Sequence, residues 1–437
     1  MTDMKFSGFG RYLKFGLFAA VVAVVMAVSQ SCDEVKGEAP QYPVKEKTLL
    51  VYMIANNNLS GNAVNNLSDI KRGFVPQAKD GNIVLYYHVP NQNPLLLNVF
   101  KDESGIVQVD TAYRFPARNS ATMTSLQSAM NVTATMFPAD EYGLILWSHG
   151  TGWLPVGFYE TPVEDNAGSY SGQNGSSSEI QYMHSAPETE EDPFADMVKM
   201  IKDDNLLGNN GGASVRSFGS DEGKEMELKD VVAALPYKLS FIIFDACLMG
   251  GIEVMYELKD STDYIISSPA EILSAGFPYS KIMQHIFASP SDLESVAQEY
   301  YDLYNNQPTA TRYGTISLVK TSELDGVAEV SKEIFEANRE KISSVDATQV
   351  QRYYRGKKHW FFDFGHFMEQ IATPEQLEKF NQALDKAVIY KATTPYFFDI
   401  KMEEYSGVST YIPIPANSTL SKYYKTLKWN EATGFIE

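Results

Sequence analysis

The chain has 437 residues, 44% hydrophobic and 21% charged, with a formal net charge of −19 at neutral pH. That length and apolar content can bury the core of one large or two moderate domains. So acidic a surface excludes nucleic acid and an anionic membrane face as electrostatic ligands and would attract basic peptides instead.

At the N-terminus, Lys5, Arg11 and Lys14 precede an apolar run from Phe15 to Val28. As a helix this run rises about 21 Å, short of a hydrocarbon core of about 30 Å. A basic start, a short apolar stretch and small residues make a secretory signal. Ser29-Gln-Ser-Cys32 follows at once and resembles a bacterial lipoprotein box, with Ser29 where that pattern prefers Leu. Residues 1–31 are therefore expected to be a lipoprotein signal peptide, and Cys32 the lipidated first residue of a mature chain anchored to a bacterial envelope. An ordinary cleaved signal or an uncleaved anchor is the alternative. Residues 32–46, polar and proline-containing, read as a tether. With Cys32 lipidated, Cys247 is the one remaining thiol, which precludes a disulfide within the chain. A lone cysteine in an exported protein is a candidate nucleophile.

Beyond the tether, apolar runs predict strands at 48–55, 82–89, 142–148, 239–244, 263–267 and 313–319. A hairpin is expected at 95–101 and 106–112. Helices are expected at 61–73, 122–136, 251–258, 291–305, 323–342 and 374–391, the first capped by the Asn56–Ser60 turn. The segment 396–414 is aromatic-rich and strand-like. Strands alternating with helices imply an α/β fold whose mostly parallel central sheet is flanked by helices on both faces. One stretch breaks the pattern: 158–225 is rich in Ser, Gly, Asn and acidic residues. A loop that long within a domain is usually functional or disordered. Here it reads either as a tolerated insertion or as an inhibitory or processing loop.

Two strands end in reactive side chains beside glycine: Leu144-Ile-Leu-Trp-Ser-His149-Gly150 and Phe241-Ile-Ile-Phe-Asp245-Ala-Cys247-Leu-Met-Gly250. Catalytic groups collect at the carboxyl ends of parallel strands, and an imidazole beside a thiol is a general base beside a nucleophile. The pairing points to a cysteine hydrolase. The backbone N–H groups of Gly150 and Cys247 are the natural oxyanion donors, and a helix starting at Gly250 or Gly251 would lower the thiol pKa.

His-Gly ending one strand and Asp-Ala-Cys-Leu-Met-Gly ending the next resemble the clostripain family of cysteine peptidases, a caspase-like group related to gingipains and legumains. The resemblance runs from about residue 48 to 414 and includes Tyr52-Met-Ile-Ala-Asn-Asn-Asn-Leu59 and the segment Glu225 to Leu235. It implies a caspase-like peptidase domain over 47–415, interrupted by the 158–225 insertion and followed by a tail at 416–437. It implies a Cys247–His149 dyad, an oxyanion hole at Gly150 and Cys247, and cleavage after Arg or Lys. Asp245 would lie at the base of the specificity pocket. Glu271 is the one acidic candidate where some relatives place a second acid. Maturation by a cut after Lys199, Lys202, Arg216 or Lys224 is likewise implied. Calcium serves some relatives, and the acidic insertion is a weak candidate for it, but no EF-hand, zinc-ligand or phosphate-loop pattern occurs. The other histidines read as core or surface (His88, His285), insertion (His184), or flanks of Trp360-Phe-Phe-Asp363 (His359, His366), with Asp363 structural. The alternative function is a catalytically inactive surface lipoprotein that keeps the fold for protein binding or adhesion. Intact Cys247, His149 and Gly150 favour the enzyme.

Overall fold

Continuous apolar runs suit strands covered on both faces, and in the computed structural model they lie side by side. The structure describes residues 42–74, 81–155, 218–354, 360–413 and 418–437. From Pro43 to Glu437 these form one compact unit. Its strands, in chain order, include β1 (Lys45–Ile54), β2 (Gly81–His88), β3 (Leu95–Lys101), β4 (Val107–Arg114), β5 (Ala139–Trp147), β6 (Phe218–Asp221), β7 (Lys224–Met226), β8 (Leu239–Asp245), β9 (Thr262–Ser267), β10 (Thr315–Lys320), β11 (Phe362–Asp363) and β12 (Val388–Thr393), followed by two-residue strands at Tyr396–Phe397, Ile400–Lys401 and Ser409–Thr410. Nine of them make one sheet in the order β12-β10-β9-β8-β5-β1-β2-β3-β4. The central five, β9-β8-β5-β1-β2, are parallel. The outer strands on both sides run antiparallel.

Alternation within each strand divides the core. Leu49, Val51, Met53, Ile145, Trp147, Phe241 and Ile243 join one apolar cluster with residues of the helices Ser60–Arg72, Tyr279–Ile286 and Leu293–Asn305. The alternate residues Leu50, Tyr52, Leu144, Leu146, Ile242 and Phe244 are just as buried, so both faces are covered.

Two expected helices end earlier than their periodicity suggested. Pro374–Ala387 is a helix, opened by a capping box between Thr373 and Gln376. Its expected continuation is instead edge strand β12, because the β-prone run from Val388 finds β10 as a partner. The 323–342 stretch breaks at Asn338, whose side chain donates to the Ile334 carbonyl at 2.8 Å, leaving helices Leu324–Ala337 and Arg339–Ser344. Residues 418–437, expected as a tail, contain helices Ser418–Tyr424 and Lys428–Thr433. They bury Trp429, whose ring meets Tyr256 at 5.4 Å and Phe364 at 5.7 Å.

The described chain resumes at Phe218, inside the expected insertion, and the end of that insertion is an ordered β6–β7 hairpin. The signal peptide with Cys32, the acidic calcium candidate, His184 and His359 lie outside the described residues. Among the described residues no helix is long and apolar enough to cross a membrane.

Candidate active site

Strands β5 and β8 pair in register from Gly143↔Phe241 to Trp147↔Asp245. The Ser148 N–H extends the ladder by donating to the Asp245 carbonyl at 3.3 Å. His149 and Cys247 each lie two residues beyond that last pair, so positions remote in sequence leave the sheet at one rim. The two turns then pack closely. A Cβ at Gly150 would stand 2.7 Å from the Cys247 carbonyl oxygen, 3.1 Å from Ala246 Cβ and 3.2 Å from Met249 Sδ. Only glycine allows that approach. On the cysteine side, Leu248 takes the left-handed conformation with φ +62°, unusual for a branched residue. The fold over-determines it: Leu248 N–H donates to Ala270 O (2.9 Å) and Gly250 N–H to Ser268 O (2.8 Å).

Cys247 is half-buried. The Ile272 N–H points at its Sγ from 3.3 Å, and the thiol reaches the Ile272 carbonyl at 3.6 Å. Glu271, only 8% exposed, lies between Ala270 and Ile272, the two residues whose backbones hold this turn. Asp245, 5% exposed, accepts the Tyr279 hydroxyl at 2.8 Å and the Phe277 N–H at 3.3 Å. Burial pushes its pKa up to about 6, although those two bonds pull the other way. The chain folds back over this carboxylate at Gly276, where a Cβ would strike it and φ is +68°. Tyr304 donates to the Gly276 carbonyl at 2.7 Å. Burial, with the neighbouring Asp245 carboxylate adding to it, holds the Tyr300 and Tyr304 hydroxyls well above their usual pKa.

His149 keeps part of its surface in solvent, yet protein packs round its imidazole and desolvation lowers the pKa to about 4. Its Nε2 is 2.7 Å from Asn58 Oδ1. Asn58 was not singled out as a functional residue in the sequence. The Asn56-Asn57-Asn58 run reads there as a helix cap, but the cap position is Leu59, which forms no side-chain cap bond. The three amides bind elsewhere. Asn56 Nδ2 donates to Asp221 Oδ1 (2.7 Å), and Asn57 Nδ2 donates to Ser220 O (2.6 Å) and Ile54 O (3.1 Å). The β6 strand they hold also grips the histidine: Gly219 N–H donates to His149 O at 2.9 Å, and Phe218 bridges to Gly150.

Other histidines have structural surroundings. His88 Nδ1 contacts Ser120 Oγ (2.7 Å) and Asp221 Oδ2 (3.1 Å). His285 lies 3.8 Å from Asp292, and His366 Nδ1 accepts the Gln351 N–H at 3.1 Å. Asp363 caps the Phe364–Ile371 helix and accepts from Tyr353 and Ser406, which fits a structural aspartate. Among the described residues no group of three or more His, Cys, Asp or Glu is arranged to hold a metal.

Residues 51–186 and 199–435 match the family model described as the clostripain family. The chain is similar to clostripain from Hathewaya histolytica, 23% identical over 267 residues. That match covers 55% of this chain and 42% of that protein, so the chain spans less than half the length of the curated relative it matches. It is also similar to the X-ray structure of an inactive zymogen C11 protease from Parabacteroides distasonis. There the identity is 30%, the coverage 90% of this chain and 99% of the other, and the TM-score 0.69. A secreted C11 cysteine protease from Bacteroides thetaiotaomicron, solved with an irreversible peptide inhibitor, has 24% identity and a TM-score of 0.69. That match covers 90% of this chain and all of the other, and at that identity the likeness speaks for the fold. The expected α/β architecture with its mostly parallel sheet is the one these structures have.

Proposed function

This chain belongs to the clostripain family, and from that premise we propose that it is a cysteine endopeptidase in which Cys247 is the nucleophile and His149 its base. The observation that carries the assignment is the β5–β8 register, which sets the His149-Gly150 turn against the Cys247 carbonyl. Burial keeps the imidazole neutral at neutral pH, the form a base needs. His149 removes the thiol proton as sulfur attacks the scissile carbonyl carbon. The tetrahedral oxyanion is held by the N–H groups of Gly150 and Cys247. The imidazolium then gives its proton to the departing amine, and a thioester remains on Cys247. Water, deprotonated by the same imidazole, hydrolyses that thioester and frees the thiol.

Asp245 supports a preference for Arg or Lys before the scissile bond. Its buried carboxylate is disfavoured as an anion, and a guanidinium or ammonium beside it supplies the missing counter-charge. Glu271, two positions beyond Pro269 in the segment gripping the nucleophile turn, is the second acidic candidate. The acidic surface adds a general attraction for basic peptides. Export with a lipid anchor at Cys32 rests on the sequence of the first 32 residues, and calcium remains a ligand of the acidic insertion only by resemblance. Of the four candidate processing sites, Lys224 is the poorest, since it is paired with Asp221 in the β6–β7 hairpin. The other three precede Phe218.

Incubating the wild type, Cys247→Ala and His149→Ala with a peptide library tests this reading. Cleavage after basic residues should occur in the wild type alone, with one thiol alkylated fast by iodoacetamide. A wild type that cleaves nothing and has a sluggish thiol would favour the adhesion alternative.

A further inference from the structure

We propose that Asn58 is the positioning residue of the site: its Oδ1 accepts the Nε2–H of His149 and so fixes the tautomer in which Nδ1 carries the free lone pair that takes the thiol proton. The inference deepens the assignment of His149 as the base and rests on it. The contact is 2.7 Å, a short, well-formed bond for this type. A neutral imidazole has one N–H and one lone pair. With the Asn58 amide oxygen turned to Nε2, the N–H is held there and the basic nitrogen is Nδ1.

Asn58 is itself held. Asn57 Oδ1 accepts the Leu59 N–H at 2.8 Å, closing the turn on its far side. On its near side, Asn56 and Asn57 are tied to Asp221 and Ser220 of β6. The same strand binds the His149 carbonyl through Gly219. The chain just before Asn58 and the backbone of the base therefore share one support, the β6 strand. An amide also differs from a carboxylate in what it does to the ring. It orients the imidazole without stabilising the imidazolium by charge, so the base stays neutral at working pH.

The test compares Asn58→Ala and Asn58→Asp with His149→Ala, using steady-state cleavage of a basic peptide and 15N NMR of histidine-labelled protein. The Asn58 side chain is exposed, so both variants should fold. In the wild type the His149 signal, identified by its loss in His149→Ala, should be the Nε2–H tautomer. Asn58→Ala should lower kcat about 10- to 100-fold with little change in KM and mix the tautomers. Asn58→Asp should keep most of the rate but raise the His149 pKa by about one unit or more, carrying the acid limb of kcat up with it. An Nδ1–H tautomer in the wild type, wild-type kcat in Asn58→Ala, or an unmoved pKa in Asn58→Asp overturns the proposal. If these occur while His149→Ala is inactive, only the role of Asn58 falls. If His149→Ala still cleaves, the base assignment falls and this inference with it.

Discussion

In the specificity role proposed for it, Asp245 sets stability against function. Its carboxyl sits at 3.8 when unperturbed and about 6 in the fold, so the folded state binds its proton more tightly than the unfolded state does. The stability tied to that proton is complete below about pH 4 and is lost as pH rises through 6. The loss is about 3 kcal/mol above that window. Asp245→Asn keeps an acceptor for Tyr279 and removes the charge. Urea unfolding should therefore find the variant more stable than wild type at pH 8, with the gap narrowing as pH falls and closing only below about pH 4. Cleavage after Arg should fall about 10- to 100-fold in the same variant, the worth of a charged hydrogen bond. In the wild type, kcat/KM for Arg substrates should decline below pH 6 as Asp245 protonates. Iodoacetamide should still find Cys247 there, because His149 remains neutral down to about pH 4. Gly150 is a second residue-scale case. The sequence offers its backbone N–H as an oxyanion donor. The structure adds that the space a Cβ would take is filled by the Cys247 turn. Gly150→Ala should cost about 1–3 kcal/mol of stability by overpacking and lower kcat/KM as well, both measurable on one preparation.

Among elements, the short β6 strand has consequences out of proportion to its length. It joins the ends of β1 and β5 and is fastened by Asp221, a buried side chain that accepts the Ser120 N–H, the Asn56 amide and the His88 ring. Asp221→Ala takes the acceptor from the buried Ser120 N–H and from the Asn56 amide and should cost about 3 kcal/mol, read from the shift in urea midpoint. The strand was not legible because a four-residue run after a Ser- and Gly-rich stretch has no periodicity of its own. Its partners are tertiary. The helix Tyr279–Ile286 was missed for a similar reason, since the turn before it dominates the local signal. β12 looked like helix because apolar spacing in 374–391 suits a period of 3.6, and only the edge of β10 decides otherwise. Strands β1, β5 and β8, by contrast, were plain, since long β-prone runs between turn residues allow few other readings.

At the scale of the whole molecule, the segments before and after the insertion are halves of one sheet, joined through β5 and β8. A single cut between 156 and 217 should leave two chains that separate in SDS and co-elute on native gel filtration. The C-terminal helices belong to the same body. Tyr424 donates to Glu253 at 2.8 Å on the helix that follows Cys247, and Trp429 fills the space beside Tyr256. Trp429→Ala should lose about 3–5 kcal/mol by thermal or urea unfolding, and the cysteine turn should loosen with it.

Sequence alone determined the strands that end in His149 and Cys247, because the chemistry of an abrupt polar ending after a buried run is local. It also determined the architecture, since alternating helices and two-sided apolar strands pack in few ways. Tertiary structure alone decided which groups meet those ends. The amide beside His149, the Tyr279 hydroxyl on Asp245 and the β6 strand along the histidine turn come from distant parts of the chain, and contacts between distant segments leave no periodic mark in either one.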